Sequence, residues 1–270
     1  MALKIKNIIP FPVKRLARYL FKSPHRKMGF FYGLRLDMEA LSALLPHLLF
    51  SKYKKDLKPV SICTGIKNRT SNYLEYVLTS ILEMDHQDLV ELSVYDCGSD
   101  DFETLEKEIR QKWKGKLKIV SKPAPFTRSA SFNHAIAQAS NELFFVTDAD
   151  MSLPKDLVIL CNKYVTSKTA WFPIVFTLFE KRPAIISNLN GRWLPAGLGM
   201  FASTKDQFEK AGKYNTAYTE WGIEDNELWI NYFKAGILPI RSRCRGLIHH
   251  WHPSLQIKTV IPDHLEKYLS

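Results

Sequence analysis

The sequence predicts an α/β domain built on a mostly parallel central sheet with helices on both faces. Three observations carry that expectation. From Pro59 onward, short β-rich runs alternate with helical stretches. Two acidic clusters, at Asp96 and at Asp148/Asp150, fall where predicted strands end, and in parallel sheets that edge is where ligands bind. The chain is also large enough for a substantial core, with 270 residues of which 46% are hydrophobic.

The elements follow in order. Val60–Ile66 is a β-rich run bounded by turn signals, and Tyr73–Met84 reads as a helix. Leu89–Tyr95 is strand-like and ends in the turn-and-cap sequence Asp96-Cys97-Gly98-Ser99-Asp100-Asp101. Phe102–Trp113 is a charged helix, Leu117–Val120 a strand and Ser129–Ala139 a helix. Leu143–Thr147 is a buried-type strand that stops at Asp148-Ala149-Asp150. The second half is less regular: Trp171–Phe179, Ala184–Ser187 and Leu194–Ser203 read as strands, with a helix near Lys205–Lys210. Trp221-Gly222-Ile223-Glu224-Asp225 opens a helix to about Ala235, and Ile237–Ile240 and Gly246–His252 are strand-like. The expected domains are therefore an appendage (1–58), a body (59–253, halved near 150) and a tail (254–270).

Charge divides the chain in the same place. Lys and Arg number 38 against 27 acids, a formal charge of +11, which suggests an anionic partner. Residues 1–58 carry +10 of this, with thirteen Lys/Arg against Asp37, Glu39 and Asp56. There Ile5, Ile8, Ile9, Val13, Leu16 and Leu20 interleave with Lys4, Lys6, Lys14, Arg15 and Arg18, a pattern that suits a membrane interface or an appendage packed on the body. A nucleic-acid-binding protein would spread basic residues over the folded body, so that reading is disfavoured. Cys63, Cys97, Cys161 and Cys244 are too dispersed for a zinc knuckle or a disulfide framework, so reduced thiols are expected. No signal-peptide pattern or bilayer-length apolar run is visible, and a cytoplasmic or peripheral protein is expected.

Several residues could carry chemistry. Asp148-x-Asp150 at the end of a buried strand suits a hard divalent ion with positions left for phosphate oxygens. Two carboxylates alone under-coordinate such an ion, and His249-His250-x-His252 offers imidazoles. Glu224 and Asp225 are either first-turn acids complementing a helix dipole, or a general base and an acceptor clamp with Trp221 closing over a sugar. Arg128, after Phe126-Thr127, and Arg69, after Asn68, are candidates for a phosphate or carboxylate.

Taken in order, these motifs resemble the inverting GT-A glycosyltransferases of the beta-1,4-galactosyltransferase and chondroitin N-acetylgalactosaminyltransferase type. The resemblance covers about residues 59–253. Gly65-Ile66-Lys67-Asn68-Arg69 is similar to the family's first-strand nucleotide loop, and Asp96 to its uridine-contacting acid. Phe126-x-Arg128 resembles the uridine diphosphate contact pair, and Asp148-x-Asp150 the metal motif. Trp221-Gly222-Ile223-Glu224-Asp225 resembles Trp-Gly-Gly-Glu-Asp, with Ile223 in place of the second glycine. Gly246-Leu247-Ile248-His249-His250-Trp251-His252 resembles the chondroitin enzymes' Gly-Leu-Phe-His-Leu-Trp-His, and Gly246 falls where the galactosyltransferases have a Met ligand.

The resemblance implies a GT-A fold and transfer, with inversion, from a UDP-sugar (UDP-Gal or UDP-GalNAc favoured) to a glycan hydroxyl. It implies Mn²⁺ or Mg²⁺ on Asp150 with His252 or His249 and with Asp148 nearby. Asp225 would be the base, Glu224 would bind the acceptor, and Trp221 would stack on a sugar. Arg128, Phe126, Arg69 and Asp96 would hold the nucleotide. The absence of a Golgi-type anchor points to a bacterial-type cytoplasmic enzyme working on surface polysaccharide or lipid-linked glycan. A sugar nucleotidyltransferase is the rival in the same fold space, but it needs a glycine-rich triphosphate loop, and this loop has only Gly65.

Overall fold

In the computed structural model, which describes residues 56–195, 197–218 and 223–253, the body is organised around one large sheet. These residues fall within one compact unit, 52–259. The appendage up to residue 55 and the tail 254–270 lie outside the described residues.

Four strands, β1 (Val60–Ile66), β2 (Val90–Asp96), β3 (Lys116–Ser121) and β4 (Leu143–Val146), run parallel to one another. Every residue of β1, β2 and β4 is buried, as strands covered on both faces are. A second group completes the sheet: β6 (Thr169–Trp171), β9 (Phe201–Thr204) and β10 (Leu238–Ile240). The order is β10-β6-β9-β4-β1-β2-β3, with only β9 antiparallel to its neighbours. The remaining strands, β5 (Met151–Ser152), β7 (Ile174–Leu178), β8 (Gly191–Leu194) and β11 (Arg243–His249), form a smaller sheet in the order β5-β11-β7-β8.

The registers set up the site. Ile66 pairs with Asp96 and Cys63 with Val146, so the loops after β1, β2 and β4 emerge along one edge. Because β9 is antiparallel, with Phe201 opposite Val146, the segment entering β9 reaches that same edge.

Helices connect the strands. Residues 70–82 form α1, which is π-wound over Tyr73–Leu78. Next come α2 (Phe102–Lys112), α3 (Arg128–Gln138), α4 (Leu157–Tyr164), α5 (Lys205–Lys210) and α6 (Ile223–Lys234). Helix α3 lies very close to β1: a Cβ on Gly65 would come within 2.2 Å of Ser131 Oγ. An aromatic cluster centred on Phe201, stacked on Phe172 (5.0 Å) and edge-on to Phe144 (5.5 Å), fills the core beside β4 and β9.

Several expectations need correction. The run Trp171–Phe179 is two strands in different sheets, divided at Pro173, whose missing N–H cannot join a ladder. Leu194–Ser203 is likewise divided between β8 and β9 by the Pro- and Gly-containing stretch 195–199. Ala184–Ser187 is not a strand but part of the loop joining β7 to β8. The closing strand starts at Arg243 and stops at His249, leaving His250 and His252 beyond it. Helix α4 was not foreseen, because Leu157–Leu160 is too uniformly apolar to show a helical period.

Candidate active site

Arg128 occupies the centre of the loop edge. Its helix begins there because Thr127 is an N-cap, the side-chain Oγ1 accepting from Ala130 N at 3.3 Å. The guanidinium is buried and fans out to three elements. Nε donates to Asp148 Oδ1 at 3.0 Å, one Nη donates to the Gly199 carbonyl at 2.8 Å, and the other donates to Asp225 Oδ1. Glu224 Oε1 lies 3.5 Å from that last Nη. Phe132, one helical turn on, presents its ring 4.5 Å from the guanidinium carbon. Burial opposes the positive charge, but Asp148 and Asp225 outweigh it and hold the Arg128 pKa well above its ordinary value.

Asp225 is the perturbed acid of the group. Burial pushes its carboxyl up to about 7; Arg128 pulls it down, while Glu224 and Asp148 push it further up. Glu224 is more deeply buried still and stands next to Asp225 in the first turn of α6. Trp221, just upstream, lies outside the described residues, as does Gly222.

A second cluster lies beyond Asp148. Asp150 Oδ1 is 3.6 Å from His249 Nε2, and Asp150 Oδ2 is 3.2 Å from His252 Nε2. The β5–β11 ladder brings them together: Met151 opposes His249, Ser152 opposes Ile248, and His250 N donates to the Asp150 carbonyl at 2.9 Å. One ligand atom from each of Asp150, His249 and His252 falls within 4.8 Å of the others. Asp150 Oδ1 is buried and accepts no hydrogen bond among the described residues. His252 Nδ1 donates to the Pro253 carbonyl (3.1 Å), which leaves the Nε2 lone pair on the cluster side. Burial, then the neighbouring Asp148, raise the Asp150 pKa, and the two imidazoles lower it. This carboxylate and imidazole set fits a divalent ion such as Mn²⁺. Asp148 is not part of the three-residue cluster, because its carboxylate is turned to Arg128. A side chain at Gly246 (φ +90°) would begin 3.0 Å from Pro154.

The nucleotide candidates divide. Asn68, at φ +52°, exchanges two hydrogen bonds with Asp100 (3.3 and 3.1 Å), which ties the loops after β1 and β2 together and leaves Arg69 exposed. Phe126 is 45% exposed in the loop before α3. Asp96, the candidate uridine contact, is hydrogen-bonded within the protein. It is fully buried, and its Oδ2 accepts from Gly98 N (2.8 Å), Ser99 N (2.9 Å) and Ser121 Oγ (2.6 Å), while Oδ1 accepts from Ser99 Oγ. Its carboxylate thus ties its own turn to the end of β3. Sequence reasoning missed the Gly199 carbonyl, which has no side-chain signal, and Phe132, whose spacing of four from Arg128 was available.

Two family models match the body. Residues 61–170 match the family described as Glycosyl transferase family 2, and residues 192–252 match the N-terminal domain of galactosyltransferase. The chain is 25% identical over 174 residues to human chondroitin sulfate synthase 3, covering 58% of this chain and 20% of that protein. It is 24% identical over 226 residues to human chondroitin sulfate N-acetylgalactosaminyltransferase 2, covering 76% and 42%. The chain thus spans between about a fifth and two fifths of the length of these relatives. Among solved structures, S. aureus TarS 1–349 in complex with UDP-GlcNAc has a TM-score of 0.56 at 14% identity, over 73% of this chain and 60% of that one. The mannosyltransferase PcManGT from Pyrobaculum calidifontis, in complex with GDP-Man and Mn²⁺, has a TM-score of 0.55 at 15% identity, over 83% and 68%. These two likenesses show the fold. The two family matches, in sequence order around the site, together with these relatives support a GT-A glycosyltransferase of the beta-1,4-galactosyltransferase and chondroitin N-acetylgalactosaminyltransferase type.

Proposed function

We propose that the protein transfers Gal or GalNAc from a UDP-sugar to a glycan hydroxyl, with inversion and with a divalent ion, Mn²⁺ first. The observation that carries this is the position of Asp225, largely enclosed with a pKa raised to about 7 and joined through Arg128 to Asp148, two residues from the Asp150–His249–His252 cluster. A carboxylate so poised suits a general base for a sugar hydroxyl, a contribution of roughly 10²–10⁴-fold.

Asp150, His249 and His252 would hold the ion, which supplies Lewis-acid neutralisation of charge developing on a diphosphate leaving group. Phe126 offers an exposed ring to the base, and Arg69 an exposed charge to the phosphates. Asp96 keeps the nucleotide loop in shape by holding its own turn. Arg128 orients Asp225 and Asp148. Asp225 takes the acceptor proton on the face opposite the leaving group, and Glu224 hydrogen-bonds the acceptor sugar.

The relatives named as chondroitin synthases and N-acetylgalactosaminyltransferases support a glycan acceptor, which we infer to be a surface polysaccharide or its lipid-linked precursor. The +10 of residues 1–58 supports a location on an anionic membrane at the cytoplasmic face. A screen of UDP-sugars and glycan acceptors, read by UDP release with and without Mn²⁺, tests the reading. Acceptor-dependent release from UDP-Gal or UDP-GalNAc is expected, and release from no UDP-sugar would overturn it.

A further inference from the structure

The closing motif departs from its family pattern at Ile248 and at His250, and the second is a polar side chain that the proposed chemistry leaves unused. Where the chondroitin-type motif has Leu between its two histidines, this chain has His250. His250 is not among the clustered donors, although it stands between two of them. Its Nε2 lies 2.7 Å from Ser152 Oγ, so that ring nitrogen is already paired. Its ring lies flat on Tyr76, with centroids 3.7 Å apart and planes inclined by 6°.

Both partners come from specific places in the fold. Ser152 belongs to β5, the short strand that begins immediately after Asp150. Tyr76 lies in the π-wound stretch Tyr73–Leu78 of α1. Such turns are rare, widen the helix locally and recur at functional sites. The segment 249–252 is thus anchored at its centre from two directions, by a hydrogen bond from the strand and by a ring from the helix. With the His250 N–H on the Asp150 carbonyl (2.9 Å), little rotational freedom is left to the residues that carry His249 and His252.

We propose that Tyr76 and His250 form a positioning pair that holds His249 and His252 in ligand geometry before a divalent ion arrives. The ion then meets a prearranged set of donors and does not have to order the loop itself. The proposal rests on the metal reading given above, and its test separates the two.

The test is Mn²⁺ binding to the full chain without nucleotide, measured by calorimetry or by the EPR signal of free Mn²⁺. His250→Leu, which restores the family residue, should weaken binding about 10–100-fold, as loss of outer contacts to metal ligands does. Tyr76→Leu should do the same, while Tyr76→Phe, which keeps the ring, should stay within about threefold. Because the two residues act as one unit, the double variant should be no weaker than the poorer single variant. The melting temperature of the metal-free chain should change little. Ser152→Ala, which removes only one hydrogen bond, should weaken binding about 2–10-fold and serves if His250→Leu does not fold.

Parent-like affinity in His250→Leu or in Ser152→Ala would overturn the pairing, as would Tyr76→Phe binding as weakly as Tyr76→Leu. If the native chain binds Mn²⁺ no better than Asp150→Asn, the metal reading itself fails, and the positioning role with it.

Discussion

Asp148 and Asp225 are held by one guanidinium: Arg128 Nε donates to the first at 3.0 Å, and an Nη of the same side chain donates to the second. One acid ends a sheet strand and the other opens a helix of the second half, so the pairing fixes the distance between the halves of the site. It also tunes the chemistry, since Arg128 is the main group lowering the Asp225 pKa against burial.

Removing that cation should therefore affect both stability and pH dependence. Arg128→Ala leaves Asp148, Asp225 and Glu224 without their shared charge, and a broken buried pair typically costs about 3–5 kcal/mol. Arg128→Lys keeps the charge but not the planar fork, so a smaller loss is expected. Urea unfolding measures the first effect. In the Lys variant, the weaker counter-charge should move the acid limb of the pH–rate curve to higher pH.

Asp225 itself gives the sharpest test of the base assignment. A base works only when deprotonated, and this group has its pKa raised to about 7, so kcat/KM should fall as pH drops through about 7. Asp225→Asn should abolish transfer, roughly a 10²–10⁴-fold loss, while binding of UDP with Mn²⁺ persists. Transfer near the native rate would remove Asp225 from the role.

The metal reading predicts that excess EDTA stops the reaction and that Mn²⁺ restores it. His252→Ala and His249→Ala should each raise the Mn²⁺ concentration needed for half-maximal rate, because each removes one of three clustered donors. An unchanged requirement in both variants would exclude the cluster as the metal site.

Much of this was legible in sequence because the chemistry sits at strand ends. Leu143–Val146 announces a buried strand, and the acids after it can only emerge at the carboxyl edge. What the sequence could not show was how the acids divide. Asp148 and Asp150 are two residues apart, yet one turns to Arg128 and the other to the histidines. Asp96 shows the same limit: the sequence places an acid in a turn, and only the structure shows that it accepts from Gly98, Ser99 and Ser121. The sequence left Arg128 open to a phosphate or a carboxylate, because its carboxylate partners are 20 and 97 positions away. The split strands were missed at Pro173 and across 195–199, where one apolar run serves two sheets.

The fold beneath the site can be tested at Gly65. A Cβ there would lie 2.2 Å from Ser131 Oγ and 2.5 Å from Ser131 Cβ, so helix α3 would have to shift outward and take Arg128 with it. Gly65→Ala should cost about 1–3 kcal/mol in urea unfolding, the usual range for overpacking. Addition of Ser131→Gly should recover part of that loss, since it removes the opposing atoms at a helix cost of about 1 kcal/mol. No recovery would mean that the strain lies elsewhere.

The charge asymmetry gives the last prediction. Residues 59–270 are almost neutral, while residues 1–58 carry +10. If the basic segment docks the enzyme on its acceptor's membrane, the full chain should sediment with vesicles containing anionic phospholipid but not with zwitterionic ones. Binding should weaken as salt rises, because the Debye length shrinks from about 10 Å at 0.1 M to about 3 Å at 1 M. Each basic residue near such a surface contributes about 1 kcal/mol, so neutralising four of the thirteen should release most of the protein. Deletion of residues 1–58 should abolish vesicle binding while leaving UDP release with a soluble acceptor intact. Vesicle binding that survives the deletion would transfer the membrane contact to the body, and binding that never depends on anionic lipid would end the docking idea.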